Sequence, residues 1–176
     1  MRDSLGSVVV GRVFSIRLVG SLIQKRTAPV RPHMPKSAHS IRRMTDPTPY
    51  LHFPGTAREA LTFYGEVFGC EVRLNTLAEF NRTDGPADAI AHGYLDDGPV
   101  ALFAADVSGD ESPFRCQGMM LSLLGTADPS TLHNWFSALS EGGRVVDDLQ
   151  KRPWGASDGQ VIDRYGLHWL VGFEDD

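Results

Sequence analysis

Three histidines, His52, His92 and His168, stand in short apolar runs, YLHF, AIAHGYL and GLHWLV. Neutral imidazole can serve there as a metal ligand or as a proton carrier. The plainer reading is three separate histidines on strand faces, and it is preferred over a metal cluster. Cys70 and Cys116 form no C-x-x-C or zinc-knuckle spacing, so either thiol reads as a small buried hydrophobe rather than a nucleophile. Trp154, between Pro153 and Gly155 in KRPWGASDG, is placed in a loop, as a wall of a binding site or a plug for a cavity mouth. Adjacent acids such as Asp147 and Asp148 point to opposite faces of a strand and read as solvated charge, not as a catalytic pair. The sequence holds no G-x-G-x-x-G, no P-loop, no G-x-S-x-G and no H-E-x-x-H, so nucleotide-binding and common hydrolase chemistries have no signature here.

These residues must be positioned by a chain of 176 residues that is 41% hydrophobic and 22% charged, a composition that fits one globular domain. The net charge of −5 conceals a division: residues 1–44 carry a net charge of +8, and residues 45–176 carry −13. So acidic a body repels phosphate backbones, and no nucleic-acid partner is expected. The stretch LGSVVVGRVFSIRLVGSLI includes Arg12 and Arg17, each costing about 2.5–3.5 kcal/mol at a bilayer centre, so no membrane partner is expected either. Organelle import is the second reading of this segment. Residues 24–44 are rich in proline and basic groups and poor in large apolar ones, so residues 1–44 read as a disordered basic extension, with Met34 or Met44 as an alternative start. Two widely spaced cysteines suit a reducing cytoplasm.

From Pro49 the pattern becomes regular. YLHF reads as a strand, and Thr56 with Glu59 three residues later predicts a capping box. Ala57, Ala60, Leu61, Tyr64, Val67 and Phe68 then mark one helix face that Gly69 ends. CEVRLNTL, AIAHGYL and PVALFAAD follow as strands. After SGDESP the order repeats: GMMLSLLG as a strand, a helix capped by Asp128 with Leu132, Trp135, Phe136 and Leu139 on its buried face, then RVVDDLQ, GQVID and LHWLVGF as strands. The expected fold class is α+β, with two βαβββ modules over residues 48–107 and 115–174 inside a domain at 45–176. The modules are expected to form a curled antiparallel sheet around a cavity, with the helices outside.

PYLHFPGTAREALTFYGEVFGCEV, DAIAHGYL and WGASDGQVIDRYGLHWLV resemble, in order and spacing, the PhnB-like branch of the vicinal oxygen chelate superfamily, the glyoxalase and bleomycin-resistance fold. The resemblance covers residues 48–174. It implies a ligand cavity and a homodimer, but fold alone does not name a reaction. Metal-using members carry four His, Glu or Gln ligands on the first and last strands of each module. Carried onto this chain those positions fall at Pro49, near Phe103, near Gly118 and at Leu170, none of which binds a metal. No metal and no cofactor are expected.

The resulting expectation is a cytoplasmic, metal-free small-molecule-binding protein whose ligand is lined by His92, Phe103, Trp154, His168 and Phe53, with His52 outside the pocket. Whether a reaction is catalysed stays open. The alternative is a metal-dependent lyase, isomerase or dioxygenase of the same superfamily.

Overall fold

The structure is a computed structural model that describes residues 47–174. The expectation of a disordered extension over residues 1–44 lies outside the described residues. Ten elements follow in the expected order: β1 (Tyr50–Phe53), α1 (Ala57–Phe68), β2 (Glu71–Thr76), β3 (Ile90–Asp96), β4 (Phe103–Asp106), β5 (Leu121–Leu124), α2 (Pro129–Ser140), β6 (Arg144–Lys151), β7 (Ala156–Ile162) and β8 (His168–Glu174). Among the described residues no helix is long and apolar enough to cross a membrane.

Each module forms one four-stranded sheet, ordered β1-β4-β3-β2 in the first and β5-β8-β7-β6 in the second. The expected antiparallel pairing holds for the last three strands of each module. The first strand departs from it: β1 runs parallel to β4, with Tyr50 opposite Phe103, and β5 runs parallel to β8, with Ser122 opposite Leu170. The cause is connectivity. The helix carries the chain across the sheet before the next strand is laid down, so the first and last strands of a module can meet pointing the same way.

One face of each sheet belongs to a shared core. Leu51, Phe53, Leu95 and Ala104 of the first sheet, and Leu123, Val161, Trp169 and Val171 of the second, join Leu61, Tyr64 and Phe68 of α1 and Leu132, Trp135 and Leu139 of α2 in one buried cluster. The ring of Tyr64 meets Trp169, and Phe68 meets both Trp135 and Trp169. Both sheets thus turn the same kind of face inward, and their other faces are turned away from this core. The sheets are not closed on each other, so the cavity expected between them is not enclosed within the chain.

Two buried carboxylates tie the elements together. Asp106 on β4 accepts hydrogen bonds from Ala57 N and Ile90 N, each at 2.8 Å, and so holds the start of α1 against β3. The expected capping box is absent, because the Thr56 side chain makes no cap hydrogen bond. A long-range aspartate does that work in its place. At α2 the local reading holds, with Thr131 N donating to Asp128 Oδ1 at 3.1 Å, and Gly69 ends α1 in the left-handed region at φ 67°. Asp163 accepts from Tyr165 N, Leu167 N, the Trp169 indole and the Tyr64 hydroxyl, all within 3.0 Å.

Candidate functional site

Alternation along β1 decides which side chains are left facing outward. Leu51 and Phe53 are 4% and 1% exposed on the core side, so Tyr50 and His52 occupy the open face. On β3, Gly93 approaches Leu61 of α1, which leaves His92 and Tyr94 outward. On β4, Phe103 lies opposite Tyr50 and shares its face. The result is a cluster of five rings, Tyr50, His52, His92, Tyr94 and Phe103, with centroid separations of 5.4–6.1 Å.

A polar line runs through this cluster. The Tyr50 hydroxyl lies 3.0 Å from His92 Nδ1, within hydrogen-bond distance. His52 Nδ1 lies 3.5 Å from Glu111 Oε2, and Glu111 in turn accepts from Ser108 N at 3.1 Å. Arg82 pairs with Asp84 and reaches Ser108 Oγ at 2.8 Å, which links residues 77–89 to the segment after β4. Burial raises the Tyr50 phenol above its ordinary value, and the Glu111 carboxylate adds to the rise while Arg82 opposes it. Tyr50 is therefore a protonated donor at neutral pH, and at 44% exposure it is open to a ligand. The face can stack a flat organic group and offer it phenol and imidazole hydrogen bonds.

The open face of the second sheet is more polar. His168 and Leu170 point outward beside Ile162 and Gln160, and His168 Nε2 is buried with no hydrogen-bond partner among the described residues. Such an atom costs about 1–3 kcal/mol unless something outside the chain satisfies it. Arg152 sits between Asp147 and Asp158, accepted by both carboxylates, which turns the expected solvated acid Asp147 into one arm of an ion-pair network.

The five expected lining residues are therefore not one group. His92 and Phe103 share the ring cluster. His168 lies on the other sheet. Trp154, 71% exposed in the β6–β7 turn, is near the far end of β8, beside a separate depression. Phe53 is a correction: it lies in the core against Phe114 and Tyr165, because its parity is that of Leu51. His52, expected under the helix layer or at an edge, stands on β1, the edge strand of its sheet, and its parity puts it on the open face beside Tyr50. Sequence reasoning missed Tyr50, Tyr94 and Glu111. The alternation of Tyr and His with Leu and Phe in YLHF was the signal for the first.

The register also allows the superfamily's metal positions to be tested. The outward residues at the β1–β4 and β5–β8 pairings are Tyr50 and Phe103 in one sheet, and Ser122 and Leu170 in the other, while the expected Pro49 and Gly118 precede β1 and β5. Among the described residues no three His, Cys, Asp or Glu side chains are grouped to hold an ion. A phenol, a phenyl ring, a hydroxyl and an isobutyl group are not a donor set for a divalent metal.

No family model matches the chain. An uncharacterized protein of Mycobacterium bovis is 30% identical over 127 residues, covering 66% of this chain and 75% of that protein. The protein YjdN of Escherichia coli K12 is 24% identical over 139 residues, or 70% of this chain and 92% of YjdN. Among solved structures, protein PA1353 from Pseudomonas aeruginosa has a TM-score of 0.62 at 32% identity, over 76% of this chain and 100% of that one. The PhnB protein from Bacillus cereus shares the fold with a TM-score of 0.60 at 21% identity, over 74% and 99% of the two chains. With its repeated βαβββ module, its Asp163-to-Trp169 turn and these relatives, the chain belongs to the PhnB-like branch of the vicinal oxygen chelate superfamily.

Proposed function

We propose that the protein binds a small, flat organic molecule without a metal ion, on the ring cluster of the first sheet. The observation that carries this reading is the Tyr50–His92 hydrogen bond, set among Phe103 and Tyr94 on a face that the core does not use. Aromatic walls supply contact area and the phenol–imidazole pair fixes orientation. His168, with Nε2 unpaired among the described residues on the second sheet, is a further ligand contact in this reading. A second copy of the chain brings that sheet over the ring cluster, so the protein is read as a homodimer. Met119 and Met120, at 50% and 41% exposure, are the apolar groups such a partner would cover. Free Cys70 and Cys116 support a cytoplasmic setting.

The test is a saturation-transfer NMR screen of planar aromatic acids and amides, followed by titration of the hits against variants. Tyr50→Ala and His92→Ala should each weaken a hit by roughly fivefold or more, as expected for a lost stacking or hydrogen-bonding partner. Light scattering should return twice the 19.3 kDa chain mass. Metal analysis that finds one ion per chain, lost on mutating His52 or His92, would instead support the metal-dependent enzyme of the same superfamily.

A further inference from the structure

The β6–β7 turn presents its tryptophan in a fixed way. Arg152 N bonds Ala156 O at 2.7 Å, Gly155 N bonds Arg152 O at 3.1 Å, and Gly155 takes φ +90°. Pro153 narrows the turn further, since its ring sets φ. Trp154 is thus held at the tip with 71% of its surface exposed, whereas Trp135 and Trp169 are 6% and 0% exposed. An indole displayed on a short, closed turn is pre-organised contact area.

Beside it lies a cavity of about 290 Å³, walled by Trp154, Leu124 and Phe173, with Asp158 and Glu174 as the ionisable groups in its lining. The two carboxylates are not equivalent. Asp158 is ion-paired with Arg152 at 2.8 Å, a guanidinium it shares with Asp147. Glu174 closes β8 opposite Ala156, and among the described residues no cation pairs with it. The cavity therefore combines an aromatic face, two apolar walls and one uncompensated negative charge.

That combination selects its occupant. An anion would meet Glu174 and the negative face of the indole. A hard metal ion needs several oxygen ligands, which the apolar walls cannot replace. A weakly hydrated alkylammonium loses little on leaving water, is attracted to the ring face and is balanced by the carboxylate. We propose that this cavity binds a small organic cation carrying a methylated ammonium group, with Trp154 as the platform and Glu174 as the counter-charge. The site is distinct from the ring cluster and also from His168. The six residue-to-residue steps of β8 from His168 to Glu174 span about 20 Å.

The experiment is a titration of the full chain with choline, followed through the indole N–H signals in ¹H–¹⁵N spectra, with uncharged 3,3-dimethylbutan-1-ol as the shape-matched control. Choline should shift the Trp154 signal saturably in the millimolar range and leave the signals of Trp135 and Trp169 in place. Trp154→Leu should weaken choline by roughly threefold to thirtyfold. Trp154→Phe, which keeps a ring face, should lose less, and Glu174→Gln should weaken choline but not the alcohol. Melting curves identify any variant that fails to fold, and Glu174→Gln on an exposed strand end then carries the test. Equal binding of the alcohol and choline, or no saturable shift of Trp154, overturns the proposal and leaves the ring-cluster reading untouched.

Discussion

The Tyr64 hydroxyl donates to Asp163 Oδ2 at 2.8 Å across 99 positions of sequence, joining the helix of the first module to the turn that starts the last strand of the second. Asp163 is 3% exposed and Tyr64 is fully buried, so neither group can turn to water if the other is lost. Tyr64→Phe should cost about 1–2 kcal/mol, and Asp163→Ala, which strands four donors, at least about 3 kcal/mol. Denaturant titrations of both variants check the order.

The same pair gives a response to alkali. Burial, reinforced by the Asp163 carboxylate, pushes the Tyr64 phenol far above its ordinary value. In the unfolded chain the phenol titrates near 10. The folded state then holds a proton that the unfolded state has released, so stability is full below about pH 10 and declines above it by up to about 1.4 kcal/mol per pH unit. Tyr64→Phe should flatten this decline when denaturation midpoints are compared between pH 8 and 11.

Acid should act on the second sheet. The Arg152 guanidinium holds the Asp147 carboxyl below its ordinary value, helped by Gln150. A depressed carboxylate contributes at neutral pH and loses its contribution as pH falls from about 4 through the folded value. Amide exchange of the β6–β7 hairpin should quicken over that range, and Arg152→Met should make it fast at neutral pH as well. Unchanged protection in that variant would show that the ion pairs do not hold the hairpin.

Gly159 on β7 has no room for a side chain. A Cβ there would lie 2.6 Å from Leu149 Cα and N, both backbone atoms of β6. Gly159→Ala should therefore force the two strands apart and cost about 1–3 kcal/mol. Gly55 has no neighbour within 4 Å and only a φ of +88° to satisfy, so Gly55→Ala should cost less in the same assay.

The helix starts should separate in a parallel test. Asp128→Ala removes a formed cap and should lower the melting midpoint by a few degrees. Thr56→Ala removes a side chain that caps nothing and should change stability by less than about 0.5 kcal/mol.

Element order, the module repeat, the buried stripes of both helices, the Asp128 cap and the core position of Trp169 are all legible from sequence alone. Each depends on residues a few positions apart, where helix and strand periodicity act directly. The open face of β1 is decided elsewhere. YLHF alternates cleanly, but only the contact of Leu51 and Phe53 with the shared core shows that Tyr50 and His52 are left outside. The meeting of Tyr50 with His92 needs β1 to lie parallel to β4 and β4 to pair with β3, a register that no local pattern contains. The start of α1 is held by Asp106, 49 positions beyond Ala57, whereas the local capping box that its sequence spells is not used. Trp154 and His168 look alike as candidate ligand contacts in the linear chain, and a single extended strand keeps them at opposite ends of one sheet. Side-chain periodicity tells which residues share a face. Only long-range pairing and the common core tell which face is open and which residues meet on it.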